Sequence, residues 1–540
     1  MSRAALLAGL LALATLAQGH DEYHRQGAPR ARAEAGERLA DPAELRPEHW
    51  AQDAAAATLR RLAAGAARGA GVARNVVLFL GDGMSGATMA AARAHLGQRS
   101  NRTGEETDLY FETFPTVGLA KTYCVDAQIA DSACTGTAYL CGVKANRGTL
   151  GVSAAVARGH CRAAVGSDHH VDSIAAWALQ DGRDAGIVTT TRVTHASPAA
   201  AYAHSAERDW ESDTDVADAC ADTPAEHRQD DIAKQLVHSF PGNQFRVILG
   251  GGRREFLPNT TLDEDGTPGR RSDGRDLIAE WRTAQAARGR RAQYVSDLAQ
   301  LRAAADAAAP PDALLGLFAA SHLPYHLQAA PGDPSLADLT EAAIRVLARN
   351  PRGFFLFVEG GRIDHAHHDN LPRLALDETV ELAAAVERAA ALLDERDSLL
   401  LVTSDHAHVM TYNGYARRGG DVLGPSDEVD ARGVPYMTLS YANGPGFRPH
   451  VAEGLRDDLT RYDYTAAEFP FEAGAPRSSE THGGDDVAVF ARGPAHALLA
   501  GLQQQSHVPR RAAAAACLGP PPHAPACRRW RRGAASSADP

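Results

Sequence analysis

Short apolar runs recur along the chain, and three of them stop at acidic or imidazole side chains. Asn75–Leu80 leads into Gly81-Asp82-Gly83, Phe354–Val358 into Glu359 with Asp364 and His368 close behind, and Leu399–Thr403 into Asp405-His406. Further strand-like runs cover Ala185–Thr190, Arg246–Leu249 and Val487–Phe490. Helical stretches run from Ser132 toward Val143, over Leu336–Ala348 and over Leu374–Leu393. Strands alternating with helices predict βαβ units and a mostly parallel sheet, an α/β fold. Ligands in such sheets bind outside the carboxyl ends of the strands. Carboxylates and imidazoles gathered there from distant parts of the chain predict one polynuclear metal site.

The pattern changes at both ends and in one internal stretch. Residues 20–73 are rich in Ala, Arg and Glu and form an N-terminal extension with a helical arm, Glu48–Ala67, anchored by Trp50. The α/β core spans 74–412. Residues 413–479 turn to Gly, Pro and Asp with short β-like pieces such as Tyr436–Tyr441, which predicts an inserted subdomain. Residues 480–516, with Thr481-His482-Gly483-Gly484, return to the core, and 517–540 read as a Pro- and Arg-rich tail. Residues 1–19 have the form of a secretory signal: Arg3, then the apolar run Ala4–Ala17, too short to span a bilayer comfortably. No later segment could cross a membrane.

Composition narrows the partners. The formal charge of −12 on 540 residues, with no concentrated basic patch, argues against nucleic acid. Export would permit disulfides among the seven cysteines. Cys517 and Cys527 are close enough to close a small loop and Cys161 could pair with Cys220, while Cys124, Cys134 and Cys141 have no assignable partner. Asn101-Arg102-Thr103 and Asn259-Thr260-Thr261 are glycosylation sequons.

The candidate chemistry rests on four constellations. Asp364 and His368, four apart, share one face of a helix beginning after Gly360-Gly361, and carboxylate plus imidazole suits zinc. That pair alone is a weak signal, but Glu359, His365 and His367 crowd the same ten residues. Asp82 sits between glycines that leave its carboxylate open to bridge cations, or that merely make a β-turn. Ser132 stands at a helix N-terminus, where a serine is usually a cap. The same position suits a nucleophile, because helix N–H groups favour an anion and a nearby zinc would lower the hydroxyl pKa. Arg208 could grip two phosphate oxygens with its planar fork, or form a surface ion pair.

Taken together these residues resemble the vertebrate alkaline phosphatases. Asp82 in Gly-Asp-Gly-Met, Asp131-Ser132-Ala133 followed by the tract 137–146, Thr189–Arg192 with His195-Ala196-Ser197-Pro198, Val358–His368, Asp405-His406-Ala407-His408 and Glu480–Asp485 share the family's order and spacing. The similarity runs from about Trp50 to Cys527, and Gly186–Trp210 is nearest the tissue-nonspecific branch. It implies a mostly parallel central sheet between helices with a small β-rich crown inserted. It implies two zinc ions and one magnesium ion per subunit. Asp364, His368 and His482 match the ligands of the first zinc; Asp82, Asp405, His406 and the Ser132 hydroxyl surround the second. Asp82, Ser197 and Glu359 match the magnesium ligands, with His195 near that shell. Ser132 matches the nucleophile that forms a phosphoserine, and Arg208 the phosphate clamp. Small phosphomonoesters are the implied substrates, and a homodimer with the N-terminal helix and the 413–479 insertion at its interface is the implied assembly.

Several positions depart from the family. Ser85 replaces a usual glycine, and Cys134 stands two residues after Ser132, where oxidation with Cys124 would strain the site. Phe318 is followed by Ala319 in place of the usual Glu, although Asp333 remains, which argues against the family's calcium site. The sequence ends without the hydrophobic tail that precedes lipid anchoring, so a secreted protein is expected, anchored at the surface only with a different C-terminus. A related phosphodiesterase or sulfatase is the alternative enzyme, but no Cys/Ser-x-Pro-x-Arg motif occurs. A non-catalytic zinc-binding relative would have lost a ligand or the nucleophile, and none of the matched positions is lost.

Overall fold

The computed structural model describes residues 42–63, 71–162, 166–448, 456–521 and 527. The signal-like segment 1–19, residues 64–67 of the expected N-terminal helix and most of the tail lie outside them.

A ten-stranded sheet forms the centre. Its strands are β1 (Asn75–Gly81), β2 (Thr116–Lys121), β3 (Asp184–Arg192), β4 (Val247–Gly251), β5 (Ala292–Val295), β6 (Ala313–Leu317), β7 (Phe354–Gly360), β8 (Ser398–Ser404) and the two last strands Val487–Arg492 and Gly501–Gln504. Across the sheet the order is Gly501–Gln504, β2, Val487–Arg492, β8, β1, β7, β3, β4, β6, β5. Only Val487–Arg492 runs against its neighbours. β1, β7 and β8 are buried along their whole length, and their alternate side chains feed two separate cores. Val76, Leu78, Phe355, Phe357, Leu399 and Leu401 enter one; Val77, Phe79, Leu356, Val358, Leu400 and Val402 enter the other. A strand covered on both faces has no polar side to show, which explains the uninterrupted apolar runs.

Helices Ile174–Gln180, Ile232–His238 and His507–Ala516 cover the first face; Gly86–Arg99, Leu336–Leu347 and Pro372–Leu392 cover the second. The helix expected from Ser132 toward Val143 is α-helical only over Ser132–Gly136 and continues as a π-turn over Thr137–Cys141. Thr135 and Thr137 donate their hydroxyls back to the carbonyls of Asp131 and Ala133, a bond that competes with helix regularity. In the inserted stretch the piece Tyr436–Tyr441 is two strands with different partners: Pro435–Met437 pairs with Pro425–Val429, and Leu439–Tyr441 with Met410–Tyr412. The region read as tail starts inside the molecule, since Cys517 and Leu518 are fully buried and Cys517 is bonded to Cys527. Cys161 pairs with Cys220. Cys124, left without a partner above, is bonded to Cys134, and Cys141 stays a free, buried thiol.

Parallel register aligns the carboxyl ends. Gly81 of β1 lies opposite both Gly360 of β7 and Ser404 of β8, and Thr189 of β3 lies opposite Glu359. Whatever follows these strands emerges at one level.

Helix Pro372–Leu392 carries a further buried acid, Glu378. Glu378 accepts the His326 backbone N–H at 2.7 Å, and burial pushes its carboxyl up to about 7 from 4.5. The folded protein therefore keeps a proton that the unfolded chain releases, and stability falls as pH rises through that window. The loss amounts to roughly 3 kcal/mol once the group is ionised. Glu378→Gln keeps the acceptor and removes the charge. Melting temperature measured between about pH 5 and 8 is expected to fall less steeply in this variant than in the wild type; parallel curves would refute the assignment.

Candidate metal centre

Each strand end delivers one part of the site. After β1 the chain turns through Gly81-Asp82-Gly83 with Gly83 at φ +65°, where an added Cβ would lie 2.3 Å from the His408 ring, so only glycine fits. Gly83 N–H donates to Asp405 Oδ1 at 2.9 Å, tying the β1 turn to the end of β8. At the end of β7, Glu359 Oε2 accepts the hydroxyls of Thr189 at 2.5 Å and Thr191 at 3.1 Å. The helix Arg362–His368 then carries Asp364 and His368 on one buried face. Beyond β8, His408 pairs with His482 in a short antiparallel bridge, which brings His482 to the others from the far end of the chain.

Two imidazoles face each other. His368 Nε2 and His482 Nε2 are 3.1 Å apart. The other nitrogen of each faces a carbonyl, His368 Nδ1 to Glu480 O and His482 Nδ1 to Ala130 O, both at 2.7 Å. A carbonyl only accepts, so each Nδ1 carries a proton, and in the neutral ring each Nε2 presents a lone pair. Asp364 stands 3.4 Å from both. Two opposed lone pairs and a carboxylate are complementary to a cation between them.

The neighbouring groups extend the cluster. His406 Nε2 lies 3.1 Å from Asp405 Oδ2, 3.5 Å from Asp82 Oδ1 and 3.2 Å from Ser132 Oγ. Asp82, His195 and Glu359 form a further set whose ligand atoms lie within 4.8 Å of one another. Ser197 is fully buried beside Glu359. Ser132 is not the cap of its helix: Asp131 is, accepting from Cys134 N–H at 3.3 Å, so Ser132 turns its hydroxyl into the site. Arg208 is no surface ion pair either. Its buried guanidinium donates to Asp131 Oδ2 at 3.1 Å and lies 3.3 Å from His195 Nε2.

The alkaline phosphatase family pattern matches residues 73–518 of the chain. A Bombyx mori protein named membrane-bound alkaline phosphatase is 54% identical over 514 residues, 94% of this chain and 92% of its own length. The chain belongs to the alkaline phosphatase family. The Gallus gallus tissue-nonspecific alkaline phosphatase isozyme is 46% identical over 482 residues, 88% of this chain and 90% of that one. Among solved structures, Thermus thermophilus alkaline phosphatase superposes with a TM-score of 0.58 at 27% identity, covering 86% of this chain and 96% of its own. The alkaline phosphatase of the Antarctic bacterium TAB5 shares the fold at 19% identity, with a TM-score of 0.56 over 84% of this chain and 100% of its own. Membership makes this chain a phosphomonoester hydrolase on the alkaline phosphatase fold.

The electrostatics of this family member fit cations. Both carboxylate oxygens of Asp82, and one each of Glu359, Asp364 and Asp405, are buried without a hydrogen-bond partner. Burial and the charges of Asp405, Asp364 and Glu359 push Asp82 well above the usual carboxylate range, and burial raises Glu359 to about 7. Acids that resist ionising together become carboxylates once divalent cations bind among them.

Sequence reasoning gave no role to His408 and Glu480. His408 Nε2 lies 2.6 Å from Asp364 Oδ1 and its Nδ1 2.5 Å from Glu480 Oε2, while Glu480 Oε1 accepts Val409 N–H at 2.7 Å. Burial opposes a charge on His408, but Glu480 and Asp364 outweigh it and hold its pKa up at about 10. The ring thus fixes the orientation of Asp364. The sequence holds one hint: in Asp405-His406-Ala407-His408, alternation in an extended segment sends His406 and His408 the same way. Removing such an outer support of a metal ligand typically costs about 10–100-fold in affinity or activity. His408→Gln is therefore expected to lose divalent metal to a chelator that much faster, followed by elemental analysis after timed dialysis. Retention equal to wild type would show that Asp364 needs no such partner.

Proposed function

We propose that this phosphomonoesterase works through a covalent phosphoserine on Ser132, with two zinc ions and one magnesium ion held by the clustered side chains. Asp364, His368 and His482 would hold one zinc; Asp82, Asp405 and His406 would hold the other beside Ser132; Asp82, Ser197 and Glu359 would hold magnesium with His195 next to it. The opposed Nε2 lone pairs of His368 and His482, one ring away from the Ser132 hydroxyl, carry the reading. The His482 ring stacks at 3.5 Å on His406, the imidazole that touches Ser132 Oγ.

When bound, the cations supply Lewis acidity that lowers the serine pKa and neutralises charge on the phosphoryl oxygens. The protein supplies the rest. Ser132 gives up its hydroxyl proton and its Oγ attacks phosphorus in line with the ester oxygen; the P–O bond to the leaving group breaks as the serine's forms, and the departing alkoxide takes up a proton. Arg208 offers its fork to two phosphoryl oxygens, held in place by Asp131 so that little reorganisation is needed. Ser132 is the first residue of the buried helix Ser132–Gly136, at the end where the helix dipole favours negative charge. Water then attacks the phosphoserine and releases inorganic phosphate.

Secretion and a homodimer belong to the same proposal. Three disulfides and solvent-exposed asparagines in both sequons, Asn101 and Asn259, suit an oxidising compartment. No described helix is long and apolar enough to cross a membrane. Calcium is left out of the proposal. Next to Phe318, the buried Arg253 guanidinium donates to Leu317 O and pairs with Asp263, Glu264 and Asp265, while Asp333 accepts Ala330 N–H.

Two variants test the mechanism. Ser132→Ala should form no acid-stable phosphoenzyme from radiolabelled phosphate, and its turnover of p-nitrophenyl phosphate should fall by a factor on the order of 10³ or more. A labelled serine elsewhere with activity retained would sink the nucleophile. Arg208→Ala should keep residual turnover but weaken competitive inhibition by phosphate roughly 10- to 100-fold. An unchanged inhibition constant would remove Arg208 from the phosphate site.

A further inference from the structure

Three consecutive residues, Ala130, Asp131 and Ser132, each touch a different part of the site. Ala130 O accepts the Nδ1–H of His482 at 2.7 Å, which sets the lone pair that His482 presents. Asp131 Oδ2 accepts from Arg208 at 3.1 Å, and its Oδ1 accepts Gly148 N–H at 3.0 Å. Ser132 Oγ lies 3.2 Å from His406 Nε2. A shift of this tripeptide would disturb all three contacts together. The helix that follows has only five residues, too few to be stable by itself.

A disulfide brackets the tripeptide. Cys124 follows the end of β2, with its N–H bonded to Ala127 O and the next N–H, of Val125, bonded to Ala145 O. Cys134 is the third residue of the short helix, and the bond between them is buried against Ala127, Ala130 and Ala145. The segment leaving β2, the second strand of the sheet, is thereby clipped to the first turn that carries Ser132.

We propose that the Cys124–Cys134 disulfide is a positioning element of this active site, setting phosphate affinity, metal retention and nucleophile placement at once. The inference rests on the proposed roles of Ser132, Arg208 and His482. It reaches beyond them because the cysteines touch neither substrate nor metal: they act through the backbone of Ala130–Ser132.

The protein contains its own control. Cys517–Cys527 spans the same sequence separation of 10 residues, so the two bonds restrict the unfolded chain equally. Cys124→Ser/Cys134→Ser and Cys517→Ser/Cys527→Ser are compared as metal-loaded enzymes, well below their melting temperatures. Both are expected to melt earlier. Only the first should weaken phosphate inhibition and shorten the half-life of bound zinc in a chelator, each on the order of tenfold. If the two pairs match in both readouts, the bond is a stability staple and the inference is wrong. Cys124→Ala/Cys134→Ala, which keeps the surrounding pocket apolar, provides the same readouts if the serine pair does not fold. Ser132→Ala separates the two levels. Activity surviving in Ser132→Ala overturns the underlying mechanism, whereas a dead Ser132→Ala beside a disulfide variant with native phosphate affinity overturns the positioning role alone.

Discussion

Like charge buried at one level of a parallel sheet is the constraint on which the rest of the molecule depends. Asp82, Glu359, Asp364 and Asp405 are all fully buried at or just beyond the carboxyl ends of β1, β7 and β8. Removing an ion from water costs several kcal/mol even after relaxation, and these four repel one another as well. Hydrogen bonds from Thr189, Thr191, Gly83 and His408 satisfy some oxygens, but the remaining ones have no donor. His408, held protonated between Asp364 and Glu480, offsets part of that charge, and cations bound among the carboxylates would offset the rest. Any ion that binds the native cluster and not the unfolded chain would add its binding free energy to stability.

That constraint accounts for the unusual uniformity of the strands. A cluster this polar must be held rigidly, and rigidity comes from strands whose ends cannot slip. Moving β7 by one residue against β1 would reverse every side chain, sending Phe355 and Phe357 into the wrong core and turning Glu359 away from Thr189. The two apolar cores, one on each face, thus act as the register lock of the site. Helix Arg362–His368 and the His408–His482 bridge then add Asp364, His368 and His482, groups that no strand end supplies.

How much of this is legible in the sequence follows from the same physics. β1, β7 and β8 stand out because strands covered on both faces must be apolar throughout. β2 does not: at the sheet's margin it leaves Val117 and Leu119 half exposed, and its Thr-Val-Gly-Leu-Ala-Lys composition signals no element. Helix Gly86–Arg99, opened by the Ser85 cap, is too rich in alanine to show a clear apolar stripe. Acidic and imidazole residues at strand ends are visible because their chemistry is local to a motif. His408, Glu480 and the Cys124–Cys134 pair are not, because each acquires its role from a contact made only after folding. The Cys124–Cys134 bond forms because the chain leaving β2 passes alongside the helix, a proximity that no local motif announces.

The supporting contacts converge on backbone as often as on side chains. Ala130 O orients His482, Glu480 O orients His368, and Val409 N–H anchors the carboxylate that grips His408. A carbonyl cannot be replaced by mutation, so the side-chain identities at 130 and 409 say nothing about the orientation they impose. What matters there is the path of the chain, and that path is set at a distance by caps, short bridges and a disulfide. The catalytic geometry therefore depends on residues whose own chemistry is inert, and a site read only from its reactive side chains leaves out the parts that hold it to a fraction of an ångström.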